Sequence, residues 1–229
     1  PILIGEATAT DIFPVTVTSN SLADYPVGTT EVTWTAKDAN GRITTGKQKV
    51  TVVDTTVPVL KVPAAISLEA TAVSTPVNIG KATATDLFPV TIVSNAPVSY
   101  PLGKTIVTWK ATDANGNIST GTQTITVVDT TAPVMAETPD LTVEATGRET
   151  PVQLVVPAVT DIYGIAAVSS DAPASFPIGV TEVTWTAKDV NGNLSTRKQK
   201  VVVVDSTKPQ LTLPKDITVE AAALQTTVE

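Results

Sequence analysis

Apolar and polar positions alternate in short runs along the whole chain, with turn residues between the runs. Val32, Trp34 and Ala36 fall on one side of a strand, and Thr33, Thr35 and Lys37 on the other. The pattern returns with Val107, Trp109 and Ala111 against Thr108, Lys110 and Thr112, and again from Val183. Period-two alternation predicts antiparallel strands with one dry and one wet face. The runs Val50–Val52, Ile125–Val127 and Val201–Val203 predict the partner strands. Asn40-Gly41, Asn115-Gly116 and Asn191-Gly192 stand between each pair, and Asn and Gly both tolerate the positive φ of a tight hairpin. No window sustains the i, i+3, i+4, i+7 spacing of a helix.

The tryptophans Trp34, Trp109 and Trp185 are 75 and 76 residues apart, so one structural unit is copied along the chain. Each copy has a "TD(I/L)FPV"-like segment, a "YP(V/L)G"-like turn, the tryptophan strand, and a closing strand ending in "VVDTT" or "VVDST". Several short strands per copy with close turn signals predict an all-β chain, a tandem array of immunoglobulin-like antiparallel β-sandwich domains. The phase of the repeat predicts residues 1–56 as a first repeat without its opening strand, 57–131 as a second and 132–207 as a third. Residues 208–229 then read as the opening strand of a fourth repeat. Pro1 in place of Met marks the chain as a processed or excised piece.

Composition narrows the function. The 229 residues carry a net charge of −7, with no basic stripe, which speaks against nucleic acid as a partner. No apolar run is long enough to span a bilayer, so no membrane insertion is expected. There is no histidine and no cysteine, which removes Ser-His and Cys-His nucleophiles, disulfides and thiolate metal sites. The acidic residues recur with the repeat, whereas an active site is ordinarily single. No enzyme is expected.

The segments Tyr25–Thr45 and Val50–Pro58, with the recurring "LEAT" and "VEAT" patches, resemble the hyalin repeat (HYR) family of immunoglobulin-like modules. The likeness runs along essentially the whole chain and implies an extracellular or cell-surface protein. The resemblance also implies a cysteine pair at Val62, Thr138 and Leu213 and at Gly46, Gly121 and Arg197, where this chain has none. A cross-link contributing about 2–4 kcal/mol must then be replaced by packing.

Two readings of the recurring acids stay open. Asp54, Asp86 and Asp113 are expected to meet at the first repeat boundary, and Asp129, Asp161 and Asp189, with Glu69, at the second. Hard oxygen ligands from successive repeats suit Ca²⁺; the same aspartates also suit turns and strand ends. Phe13, Phe88, Tyr163, Tyr25, Tyr100 and Phe176 read either as a sugar-stacking platform or as plugs of a small core. Asn117-Ile118-Ser119 and Asn193-Leu194-Ser195 fit the N-glycosylation pattern.

The expected function is a structural repeat region, a semi-rigid stalk or shaft of an adhesin or filament. The alternative is an accessory polysaccharide- or matrix-binding module of a secreted enzyme. The expected partners are a cell-surface or matrix ligand and further copies of the chain. The Leu211–Glu229 tail of one copy would complete the first repeat of the next by strand donation.

Overall fold

The computed structural model describes residues 3–220, and every regular element among them is a strand. The chain forms two compact units that divide between Val128 and Asp129. The first unit holds the first and second copies of the repeat, and the second unit holds the third.

In the second copy the main sheet runs Ile66–Glu69, Ile118–Val128, Gly103–Asp113, Val90–Ser94. The tryptophan strand and the closing strand pair antiparallel, with Trp109 opposite Gly121. The opening strand Ile66–Glu69 joins the outer edge in parallel, with Ile66 opposite Ile125 and Glu69 opposite Val128. Short ladders complete the second layer: Val59–Lys61 with Thr83–Thr85, and Ser74–Thr75 with Tyr100–Pro101. The third copy repeats this plan with Leu141–Glu144, Leu194–Val204, Gly179–Asp189 and Ile165–Ser170 in its main sheet. The alternation is realised as predicted. Val107, Trp109 and Ala111 are buried while Thr108 and Lys110 are exposed.

The layers meet over small cores. In the third copy Phe176, Val183, Val201 and Val203 form one cluster, and Met135, Trp185 and Ala187 form another. Met135 and its ladder partner Val159 come from the second layer and help to close the sandwich over the tryptophan. Each indole is also held by a glutamine 14 residues on. Trp109 Nε1 donates to Gln123 Oε1 at 3.2 Å, and Gln123 Nε2 donates to the carbonyls of Ala64 and Ile79 at 2.8 and 3.0 Å. Trp185 and Gln199 do the same, with Pro139 as the carbonyl, at 2.9 and 2.7 Å. The glutamine amide thus ties the closing strand to the segment that enters the opening strand. In the second copy, Val62 and Gly121 hold the positions of the absent cysteines and pack directly on each other.

The hairpin turns differ from expectation at one residue. Only the glycines adopt positive φ, 83° at Gly41, 91° at Gly116 and 98° at Gly192, and the asparagines do not. The cause is loop length. Asp38 N–H bonds the Arg42 carbonyl and Gly41 N–H bonds the Asp38 carbonyl, which makes a three-residue loop ending in a glycine bulge. The asparagines are thereby free for other work.

The first copy has a three-stranded sheet, Val15–Ser19, Gly28–Asp38 and Ile43–Val52, and no described strand lies on the outer edge of Ile43–Val52. Val50 and Val52 are only half-buried, whereas their counterparts Ile125, Val127, Val201 and Val203 are at most 1% exposed. Residues 205–220 form no strand and are exposed. Of the expected tail strand, residues 221–229 lie outside the described residues.

Candidate metal centres

Two sets of three aspartates converge as the repeat spacing predicts. Asp54, Asp86 and Asp113 each place one carboxylate oxygen within 4.8 Å of the others, and so do Asp129, Asp161 and Asp189. Each set lies within one compact unit. Three kinds of local structure supply the members. Asp54 and Asp129 end closing strands and accept the N–H of Thr56 and Thr131, at 3.1 and 3.2 Å. Asp86 and Asp161 turn the chain and accept the N–H of Phe88 and Tyr163, at 3.1 and 2.9 Å. Asp113 and Asp189 end the tryptophan strands and hold the hairpin loops.

The third pair is the buried one, Asp113 at 6% and Asp189 at 0% exposure. Asp113 Oδ1 accepts the N–H of Asn115 and of Asn117 at 2.9 and 2.8 Å, and Oδ2 accepts Asn117 Nδ2 at 2.8 Å. Asp189 repeats this with Asn191 and Asn193. Burial works to raise both carboxyl pKa values. The bonds from the Asn117 and Asn193 side chains and from the loop N–H groups outweigh it and hold both below the ordinary carboxylate range. Both are therefore anions at neutral pH.

The same asparagines reach across to the linker. Asn115 Nδ2 and Asn117 Nδ2 donate to Asp54 Oδ2 at 2.9 and 3.2 Å, and Asn117 also reaches the Asp54 carbonyl. Asn191 and Asn193 hold Asp129 Oδ2 and its carbonyl in the same manner. Sequence reading placed the six aspartates and missed this role of the asparagines. Its signal was the second Asn of "ANGN" and "VNGN", which is Arg42 in the first copy. Because Asn117 and Asn193 spend their amides here, the two glycosylation patterns sit on structural side chains.

Glu69 belongs to the first unit, at the end of its strand and beside Val128. Its counterpart Glu144 accepts the Ser206 N–H and Oγ–H at 2.7 and 2.8 Å. The aromatics do not form a platform among the described residues. Tyr25, Tyr100 and Phe176 are buried, Phe88 and Tyr163 are half-buried, and Phe13 stands exposed by itself.

Fold and spacing define a tandem repeat protein of immunoglobulin-like β-sandwiches with acidic clusters where one repeat follows another. The HYR domain pattern matches residues 53–127 and 128–203, and the chain belongs to that family. Family membership makes it an extracellular or cell-surface protein of the adhesion type. Hyalin of Lytechinus variegatus is 36% identical over 245 residues, covering 96% of this chain and 46% of that protein. Hyalin of Strongylocentrotus purpuratus is 36% identical over 232 residues, covering 91% of this chain and 19% of that protein. The chain thus spans less than half the length of these relatives. The human desmocollin-1 ectodomain aligns over 80% of this chain and 48% of its own at 13% identity, with a TM-score of 0.31.

Proposed function

We propose that the chain is a non-catalytic, semi-rigid section of an extracellular stalk or shaft, built from repeats divided at 56/57, 131/132 and 207/208. The observation that carries this is the bonded linker. Asp54, the last acid of one repeat, is held by Asn115 and Asn117 of the repeat that follows. The linker prolines Pro58 and Pro133 are buried, which removes backbone freedom at the same place. A joint held by side-chain bonds and proline transmits load rather than flexing.

Calcium belongs to this reading. Two unit charges 4.8 Å apart repel by about 3.5 kcal/mol at an effective dielectric near 20. No ion pair among the described residues offsets either trio. A divalent cation with carboxylate and carbonyl ligands would relieve that repulsion and stiffen the joint. The partners this reading expects are a cell-surface or matrix ligand and further copies of the chain.

Melting the chain in EGTA and in millimolar Ca²⁺ tests the metal. We expect a rise in Tm with Ca²⁺ that Asp54→Asn and Asp129→Asn together reduce; an unchanged Tm removes calcium. Small-angle scattering tests the shaft, and a profile requiring freely jointed repeats would overturn it.

A further inference from the structure

In the third copy two segments of chain part inside the sandwich. Val134–Met135 pairs with Val159–Thr160, and the Ala136 N–H still bonds the Ala158 carbonyl at 2.8 Å. Beyond that bond one segment crosses to the main sheet, where Leu141 lies opposite Val201. The other runs back to Thr150, opposite Phe176. A groove of about 360 Å³ opens in this fork, lined by Pro139, Leu141, Val155, Val156, Pro157 and Gln199.

The second copy closes the same fork. Gln123 donates to a carbonyl on each side of it, Ala64 and Ile79. Gly80 lies against Pro63, so that a Cβ on it would be 3.7 Å from the proline Cβ. Gly80 also has a φ of 78°, which a β-branched residue does not readily adopt. The third copy has Val155 and Val156 in place of Gly80 and Lys81. Val155 has no positive φ, so the chain takes another path there. The two valines are 82 and 59% exposed.

Two sets of polar groups are left open as a result. Gln199 keeps its bond to the Pro139 carbonyl but makes none to Leu154, the counterpart of Ile79. One amide hydrogen of a side chain only 4% exposed therefore has no partner among the described residues, and that side chain lines the groove. A buried donor in this state is uncommon. Beside it, residues 153–156 lie in no strand, and their backbone makes no hydrogen bond among the described residues.

We infer that the fork is a docking site for an extended peptide of a surface or matrix partner. A leucine-sized aliphatic side chain of that peptide fills the groove between Pro139, Leu141, Val155 and Val156. A backbone carbonyl beside it takes the spare Gln199 hydrogen, and the peptide pairs along the open backbone of residues 153–156. A peptide is the occupant for three reasons. An open run of backbone groups is matched by another backbone. The walls are aliphatic, and without an aromatic ring they offer a sugar no stacking face. The rim supplies charge. Gly121, closely covered by Val62 in the second copy, is Arg197 in the third, with Glu137 4.0 Å from it and Asp140 alongside. Two carboxylates against one guanidinium suit a basic residue next to the aliphatic one. The inference rests on the surface or matrix ligand expected above and gives it a site; it depends on neither the bonded joint nor calcium.

Selection of a displayed library of random peptides on the whole chain tests it. Enriched peptides should carry an aliphatic residue beside a basic one. Val155→Asp and Val156→Lys, at exposed positions, should each weaken the best peptide at least about tenfold without lowering Tm. If Val156→Lys lowers Tm, Val155→Asp carries the test alone. Glu137→Lys should weaken it as well. On NMR titration the side-chain amide protons of Gln199 should move and those of Gln123 should not. A library that enriches nothing overturns the inference. Peptides that bind the Val155→Asp chain equally well overturn the groove, and an unmoved Gln199 amide overturns the carbonyl anchor. Indifference to Glu137→Lys overturns the charge match. Self-association that Val155→Asp abolishes, with no peptide enriched, makes a second copy the occupant and overturns the peptide. A chain that scatters as a shaft and binds no peptide loses the docking site alone. A freely jointed chain that binds through Val155 keeps the docking site and loses the shaft.

Discussion

Val62 leans over Gly121 so closely that a Cβ there would sit 2.7 Å from the valine Cγ1. The glycine is required by its neighbour and not by its backbone, since it has no positive φ. Gly46, its counterpart, faces open space. Gly121→Ala should destabilise the second repeat by about 1–3 kcal/mol through overpacking. Gly46→Ala should be neutral or stabilising by up to about 1 kcal/mol through the unfolded chain. Hydrogen exchange on the two tryptophan strands measures both in one experiment; equal effects would contradict the packing difference.

The glutamine latch predicts a large effect from one conservative change. Gln123→Leu keeps the volume and leaves Trp109 Nε1 and the Ala64 and Ile79 carbonyls without their partner. Buried groups so stranded cost about 1–3 kcal/mol each. We expect a loss of at least about 2 kcal/mol in urea unfolding followed by tryptophan fluorescence, and a loss under half of that would reduce the latch to a packing contact.

Tyr100 is 1% exposed and its hydroxyl has no partner among the described residues. Burial pushes its phenol above the usual value. Tyr100→Phe, the residue the third copy already has as Phe176, should raise stability by about 1 kcal/mol. The wild-type chain should also lose stability as pH rises past the unfolded phenol value of about 10. There the unfolded state ionises first and is favoured. The variant should lose less, and alkaline melting curves that superimpose would contradict this.

At the acid end the sign reverses. Asp113 and Asp189 have depressed pKa values in the fold, so below the unfolded value of about 3.9 the unfolded state binds protons first. Their stabilisation is complete above that value and is lost as pH falls through the folded values. Asp113→Asn with Asp189→Asn should lower Tm at pH 7 and flatten the acid limb of the Tm–pH curve. An acid limb as steep as the parent's would place the acid-sensitive groups elsewhere.

What the sequence revealed follows from what is periodic in it. Alternation at Val32, Trp34 and Ala36 declares which face is dry, and the spacing of Asp54, Asp86 and Asp113 puts them at one end of a body. Glycine at the hairpin was legible too, because only glycine takes that φ without strain. The glutamine was not: Gln123 looks like a solvent-side residue until the indole above it and the carbonyls beside it are known. Asn117 was likewise read only as part of a glycosylation pattern, since its bond to Asp54 spans 63 residues and no local rule sees that far.

The Trp–Gln–carbonyl tie also changes how such a protein has to be made. In place of the cysteine pair that the family resemblance implies, these modules close with amide hydrogen bonds that form as the strands meet. No oxidant, isomerase or exported thiol poise enters their folding, and none can undo it afterwards. Array length is then free of the risk that grows with every added cysteine, the mispairing of one module's thiols with another's.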